Sequence, residues 1–398
     1  HDLYTKIGND LSRTALVFPN KRANLFFNEY LAGESDQPIW SPAAMSISDL
    51  FQKLSAQKSG DPIRLVCELY KVFKEETQSQ ETLDDFYFWG ELLISDFDDV
   101  DKNMVDADKL FSNLQDLKNL MDDYEFLDKE QEEAIQQFFQ NFSIEKRTEL
   151  KEKFISLWDK LGTIYHRYRA NLTELGIAYE GMLYRNVIEQ LDTDQLKYDK
   201  YIFVGFNVLN KVENDFFRKL KDAGKALFYW DYDIFYTQQI KKHEAGEFLK
   251  RNLEEFPNEL PESFFNTFKE PKKIRYISAS TENAQARFLP EWIKAITNDH
   301  SQIAVEKEKE NAVVLCNEAL LLPVLHSIPQ EVKNVNITMG FPLAQTPVYS
   351  FINAAMELQT NGYRSDTGRF TYEAVSAILK HPYTQQLSSH AGPLEREL

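Results

Sequence analysis

The sequence predicts an α/β protein of two parallel-sheet units, the first interrupted by a large helical insertion. Three observations carry that reading. A strand-helix-strand grammar opens the chain and returns at Lys200. Strand signal disappears between about Asp61 and Leu191, where apolar residues recur at spacings of three and four. A second alternation of strand and helix patterns follows from about residue 270.

Taken in order, "TALVF" (Thr14 to Phe18) is a short buried-strand pattern. It is followed by the helix "KRANLFFNEYLA", with Asn20 as N-cap and Gly33 as its stop, and a further helix begins near "SISDLFQKL". The helical block comprises "IRLVCELYKVFKEE", "FYFWGELLISDF", "DKLFSNLQDLKNLM" and "RTELKEKFISLWDKLGTIYHRYRANLTEL". At Lys200 the strand "YIFVGF" leads into a helix whose Asn210 and Glu213 have capping-box spacing; Gly224 ends that helix and "ALFYW" is the next strand. After the charged, Pro-containing "FPNELPESFFNTFKEPKK" come strands "IRYISAS", "NAVVLC" and "VNITM", separated by helices, and then the helix "PVYSFINAAMELQ". The expected division is 1–60 with 192–262 as the first α/β domain, 61–191 as the helical insertion, 270–360 as a partial second α/β domain, and 361–398 as the start of a further helical insertion.

Composition narrows the function. A formal charge of -18 over 398 residues excludes a surface that coats nucleic acid or anionic lipid indiscriminately, because phosphate binding needs local Lys and Arg. Cys67 and Cys316 lie in apolar runs and read as small buried hydrophobes; a disulfide framework is not expected. No apolar run is long enough to span a bilayer and no signal-peptide pattern opens the chain, so a cytoplasmic protein with no membrane partner is expected. The chain begins at His1 and ends in "AGPLEREL", which suggests a fragment of something longer.

Doubly wound sheets bind ligands at the carboxyl ends of their strands, so the strand ends are the sites to read. A nucleoside triphosphatase would need a Gly-rich loop followed by Lys and Ser or Thr. The nearest spacing, "GIAYEG" (Gly176 to Gly181), continues into Met182 and Leu183 and lacks both. The strand "YIFV" ends in Gly205, Phe206 and Asn207, where a hydrolysing sheet would carry carboxylates for Mg²⁺.

Four stretches in order, "VFPNKRANLFFNEYL", "YIFVGFNVLNKVENDFF", "FYWDYDIFY" and "NAVVLCNEALLLPVLHSIP...VNITMGFPLAQTPVYSFI", together resemble the helicase-like front half of the B subunit of AddAB-type ATP-dependent helicase-nucleases, in the style of Bacteroidetes. The resemblance implies RecA-like, superfamily 1 helicase-like units. It places Asn20, Lys21 and Arg22 at a motif that touches single-stranded DNA; Lys21 and Arg22 read equally well as a solvated first helical turn. It places Gly205, Phe206 and Asn207 at the Mg²⁺-binding acidic pair of an active motor, and Asp231 and Asp233 beside its γ-phosphate sensor. Both positions depart from the active pattern. The implied function is a non-hydrolysing portion of a subunit that processes double-strand-break ends. It would bind single-stranded DNA and DNA ends beside an AddA-type ATPase partner. No catalytic residue, metal or cofactor is assigned to this stretch. The nuclease domain of the parent exonuclease subunit would lie beyond residue 398. The alternatives are an active superfamily 1 ATPase cut before its phosphate loop, and a pure protein-interaction scaffold.

The remaining constellations are weaker. Lys272, Lys273 and Arg275, with Lys241 and Lys242, are the densest basic spots and lie near the junction of the two units. Phe228, Tyr229, Trp230, Tyr232 and Tyr236 could stack on bases, though alternation along a strand turns half of them inward. "SDFDDVDKN" (Ser95 to Asn103) lacks the Gly and Glu of a calcium loop and reads as a solvated helix end. The seven His show no zinc spacing; His166 and His326 read as structural.

Overall fold

The computed structural model describes residues 1–34, 38–111, 147–239, 243–297, 311–387, 390 and 392–394. The chain divides into two compact units, His1–Pro271 and Lys272–Leu398.

The first unit is an α/β layer structure built on a four-stranded parallel sheet of order β2-β1-β5-β6, formed by β1 (Thr14–Phe18), β2 (Ala43–Ser46), β5 (Lys200–Val204) and β6 (Ala226–Tyr229). Its strands are apolar on both faces, as a sheet covered on two sides requires. Ala15, Val17, Tyr201, Phe203 and Phe228 point into one core; Leu16, Phe18 and Ile202 point into the other. The second core is closed by Leu3 and Ile7 of α1 (Asp2–Ile7), by Leu11, and by Ala23, Phe27 and Leu31 of α2 (Ala23–Gly33). Those three α2 residues stand at i, i+4 and i+8, one stripe of a helix. The first core is closed by α3 (Ile47–Leu54), by α8 (Lys211–Asp222) and by the helical block. β2 lies on one side of β1 and β5 on the other, so the crossovers must use opposite faces to stay right-handed, and they do.

The helical block runs between α3 and β5. Its described helices are α4 (Pro62–Thr77), α5 (Leu83–Lys102), α6 (Arg147–Glu174) and α7 (Glu180–Gln190). Where the chain enters and leaves the block, β3 (Lys58–Ser59) and β4 (Ile177–Ala178) pair in parallel. Lys58 N–H donates to the Gly176 carbonyl at 3.0 Å and Gly60 N–H to the Ala178 carbonyl at 2.9 Å. The block shares one continuous core with the sheet: Phe51 of α3 stacks on Tyr184 of α7 at 4.1 Å between centroids and meets Phe216 of α8 at 5.1 Å. Each such buried aromatic contributes about 1.5–3 kcal/mol of transfer free energy.

Start signals are chemical. Ser46 with Asp49, Thr82 with Asp85 and Asn210 with Glu213 each close a reciprocal capping box. The last is the one expected from sequence, and Gly224, at φ +66°, ends α8 as expected. After β6 the chain forms a single π turn over Phe235–Gln239 and then α9 (Glu244–Glu255).

In the second unit the helices fall near their sequence patterns: α10 (Glu282–Arg287), α11 (Leu289–Thr297), α12 (Leu321–Ser327), α13 (Pro347–Thr360), α14 (Tyr372–Leu379) and α15 (Pro382–Leu387). Ala286, Leu289 and Val324 form its small core. The strands expected in "IRYISAS", "NAVVLC" and "VNITM" are not formed. Among the described residues of this unit the ladder is an antiparallel pair, β7 (Tyr363–Arg364) with β8 (Arg369–Phe370). A strand is stabilised by packing against neighbours, and Ile274, Tyr276, Val314 and Ile337 in these stretches remain exposed. Cys316 is exposed and Cys67 only half-buried, so neither is the buried hydrophobe expected from its neighbours.

Candidate functional site at the carboxyl ends of the sheet

The strand order reverses between β1 and β5, and the crevice at such a point is where an open α/β sheet presents a ligand site. The register pairs Val17 with Phe203, so Pro19 to Arg22 leave β1 beside the turn at Gly205 to Asn207 leaving β5. The sequence-predicted residues Asn20, Lys21, Arg22, Gly205, Phe206 and Asn207 therefore share one edge.

On the β1 side, Asn20 spends its side chain locally: Oδ1 accepts the N–H groups of Arg22 at 3.1 Å and Ala23 at 3.3 Å, which starts α2. Lys21 Nζ lies 3.0 Å from Asp49 of α3 and is 78% exposed. Asp49 also accepts from the Ser46 hydroxyl at 2.7 Å. That hydrogen bond, with Lys21, holds the Asp49 carboxyl below its ordinary range. An exposed pair of this kind contributes at most about 1 kcal/mol, so Lys21 can be drawn away by a stronger anion. Arg22 is exposed beside it.

On the β5 side the chain turns at Gly205, φ +73°, whose N–H extends the ladder by donating to the Tyr229 carbonyl at 3.0 Å. Phe206 turns inward, meeting Phe203 and Phe217 edge-on at 6.1 and 5.3 Å. The Asn207 side chain is exposed while its carbonyl accepts from Asn252 of α9 at 2.6 Å. Two positions after β5 are thus a left-handed glycine and a core phenylalanine, and neither can present a carboxylate to a metal.

Past β6, Asp231 is exposed, whereas Asp233 organises its own loop. Its carboxylate accepts the N–H groups of Phe235, Thr267 and Phe268 at 2.8, 2.9 and 2.8 Å. The aromatics here are internal. Phe228 and Trp230 are buried, and the Trp230 indole N–H donates to the Phe256 carbonyl at 2.8 Å. The Tyr229 hydroxyl donates to Asp2 at 2.7 Å, Tyr232 stacks on Phe265 at 4.4 Å, and Tyr236 meets Phe268 edge-on at 4.9 Å. The rings that could stack on bases have protein partners, including the inward-turned half expected from strand alternation. Lys272, Lys273 and Arg275 belong to the second unit, exposed, with the Arg275 guanidinium 5.7 Å from the Phe288 ring centroid. Lys241 and Lys242 lie outside the described residues.

Beside this edge the helical block contributes a polar junction that sequence reasoning did not identify. Glu180, first residue of α7, accepts from Lys102 at 2.6 Å, Tyr184 at 3.0 Å and Ser48 of α3 at 3.3 Å. Lys102 also pairs with Asp98 at 2.7 Å, and Asp98 accepts the Gly181 N–H at 2.5 Å. Burial alone would raise the Glu180 carboxyl; Lys102 reverses this and holds it low. Burial likewise pushes the Lys102 ammonium down, and its two carboxylates bring it above its ordinary value. The "GIAYEG" stretch thus aims a helix-start N–H at an internal carboxylate, the kind of anion a phosphate loop would bind. Near it, burial raises the Glu213 carboxyl.

Deeper in the block, Asp101 is fully buried. It accepts from the Tyr165 and Tyr179 hydroxyls at 2.5 Å each and pairs with Arg169 and, at 3.3 Å, Arg185. Ser95, Asp96, Asp99 and Asn103 of "SDFDDVDKN" are exposed, as expected of a solvated helix end, but Asp101 is the centre of a buried hydrogen-bonded network. Only the acid-Lys spacing of Asp98 and Lys102 at i, i+4 hinted at it.

Among the described residues no group of three or more His, Cys, Asp or Glu is placed to hold a metal ion, and no helix is long and apolar enough to cross a membrane. No protein-family model matches the chain, and no curated protein matches it.

Proposed function

We propose that this chain is the non-hydrolysing, helicase-like portion of a cytoplasmic subunit that processes double-strand-break ends, binding single-stranded DNA beside an ATPase partner. One observation carries the reading. At the β1–β5 switch point, where a hydrolysing sheet holds its Mg²⁺-binding acids, this sheet has Gly205 in a left-handed turn and Phe206 in the core. The ligand edge keeps cationic and amide groups, Lys21, Arg22 and Asn207, and the β5 strand end carries no carboxylate at Gly205, Phe206 or Asn207. In this reading Lys21 and Arg22 contact DNA phosphates, and Lys272, Lys273 and Arg275 add contacts from a second RecA-like unit. Asp231 and Asp233 are relics of a motor.

Anisotropy of a labelled oligo-dT strand, titrated with the full chain across a salt series, tests this. Binding should weaken as salt rises. Lys21→Glu with Arg22→Glu should weaken it further and reduce the salt slope by about 1 to 2. Absence of binding at low salt would reject the DNA-contact part.

The scaffold reading is favoured by a separate observation: Trp230 is buried, and Tyr232 and Tyr236 each already pack on a phenylalanine ring of the protein. Stoichiometric recovery of a large ATPase with the tagged protein from its own cells would favour the helicase-like subunit; partners unrelated to DNA would favour the scaffold.

A further inference from the structure

The helical block carries a cleft that borders the Asp98–Lys102–Glu180 junction. It lies between α4 and α5 and measures about 350 Å³. Leu65, Val66 and Ile94 form its apolar wall, and Glu91, Asp98 and Glu180 are its carboxylates. On its solvent side α5 raises Phe88 and Leu92, one turn apart and 62% and 42% exposed; Ile63, next to the lining residue Pro62, is 61% exposed. Single exposed apolar residues need no explanation, but three of them on the two helices that flank one cleft call for one.

The α5 side of the cleft is predominantly acidic. Asp84 precedes the Phe88–Leu92 crest, and Glu91, Asp96 and Asp99 flank it, all exposed. Lys102 neutralises Asp98 and Glu180. Among the described residues no cation pairs with Glu91, Asp96 or Asp99, and the Asp96 carboxyl is held up by partial desolvation of its solvent-facing side chain and by the like charge of Asp99. A cation arriving here would relieve that repulsion. Phosphate polymers and anionic lipid would be repelled.

We propose that the α4–α5 cleft docks a basic, aliphatic segment of a protein partner, with aliphatic side chains covering Phe88 and Leu92 and entering the cleft while Lys or Arg meet Glu91, Asp96 and Asp99. This inference does not rest on the DNA reading, since none of Lys21, Arg22 and Asn207 lines the cleft.

The test uses the full chain and a short fluorescent peptide alternating Leu and Lys. Anisotropy should report binding that weakens by about tenfold or more in the Phe88→Ser, Leu92→Ser double variant, as expected when two apolar anchors are truncated. Both residues are exposed, so the variant should keep the wild-type circular dichroism. Glu91→Gln with Asp96→Asn should flatten the salt dependence. Hydrogen exchange on peptide addition should slow at residues 62–66 and 88–98. Equal binding of a Lys-Ser peptide, unchanged binding by the Phe88, Leu92 variant, or no binding at all would overturn the proposal.

Discussion

A single residue decides what the β5 edge can do. Gly205 takes φ +73°, and nothing lies within 4 Å of where its Cβ would stand. Gly205→Ala should therefore cost only the conformational penalty of a left-handed residue, about 1–2 kcal/mol. Gly181 is the contrast: a Cβ there would stand 2.4 Å from the Asp98 carbonyl oxygen, a backbone atom with little freedom to yield. Gly181→Ala should cost more than Gly205→Ala and should loosen the Asp98–Lys102–Glu180 junction. Urea unfolding of the two variants checks the order; equal costs would show that the junction yields freely. The Gly205–Phe206–Asn207 strand end was legible in the sequence because an apolar β-branched and aromatic run stops abruptly at a glycine. The use of Asp233 was not, because its partners Thr267 and Phe268 lie 34 and 35 residues away and supply only backbone N–H groups.

At the scale of elements, α5, α6 and α7 meet on Asp101. Its carboxylate answers two hydroxyls and two guanidinium groups, and removing one member of a buried charge network leaves the others uncompensated. Asp101→Asn should destabilise the fold by about 3–5 kcal/mol, read as a shift of the urea midpoint. The same junction sets an alkaline limit. Burial, then the hydrogen bond to Asp101, pushes the Tyr165 phenol up to about 12 from 10.0, and Tyr179 moves the same way. A phenol whose folded value exceeds its unfolded one binds its proton more tightly in the native state. Its stabilisation is complete below pH 10 and is lost as pH rises toward 12. Stability should fall across that window, and Tyr165→Phe should make the fall shallower; an identical alkaline limb in the variant would remove Tyr165 from the cause. Helix starts were readable, as the Asn210–Glu213 box shows, because caps are local chemistry. This network was not, because its members are separated by as many as 84 residues and meet only through packing.

At the scale of the whole molecule, the two units differ in how well their apolar residues are employed. In the first, strands, α8 and the helical block share one core, and the parallel sheet, readable from strands apolar on both faces, is formed. In the second, the β-branched runs at 274–280, 311–316 and 335–339 read as strands in sequence but carry no ladder, and Val314 and Tyr276 stand exposed. Composition signalled strand there; it could not supply the neighbours that make a strand worth forming. α13 points the same way, with Val348, Ile352 and Met356 at i, i+4 and i+8 all exposed, a stripe shaped to cover a sheet. Local opening free energy follows buried contact, so the second unit should exchange its amides faster and be cut first by protease, leaving a resistant product that ends near Pro271. Hydrogen exchange with peptide-level readout separates the two accounts of the unit. Fast exchange throughout 274–280, 311–316 and 335–339 would mean that these runs stay unpaired in the chain as it stands. Slow exchange at all three would mean that these runs are hydrogen-bonded as strands, which the exposed α13 stripe could then cover.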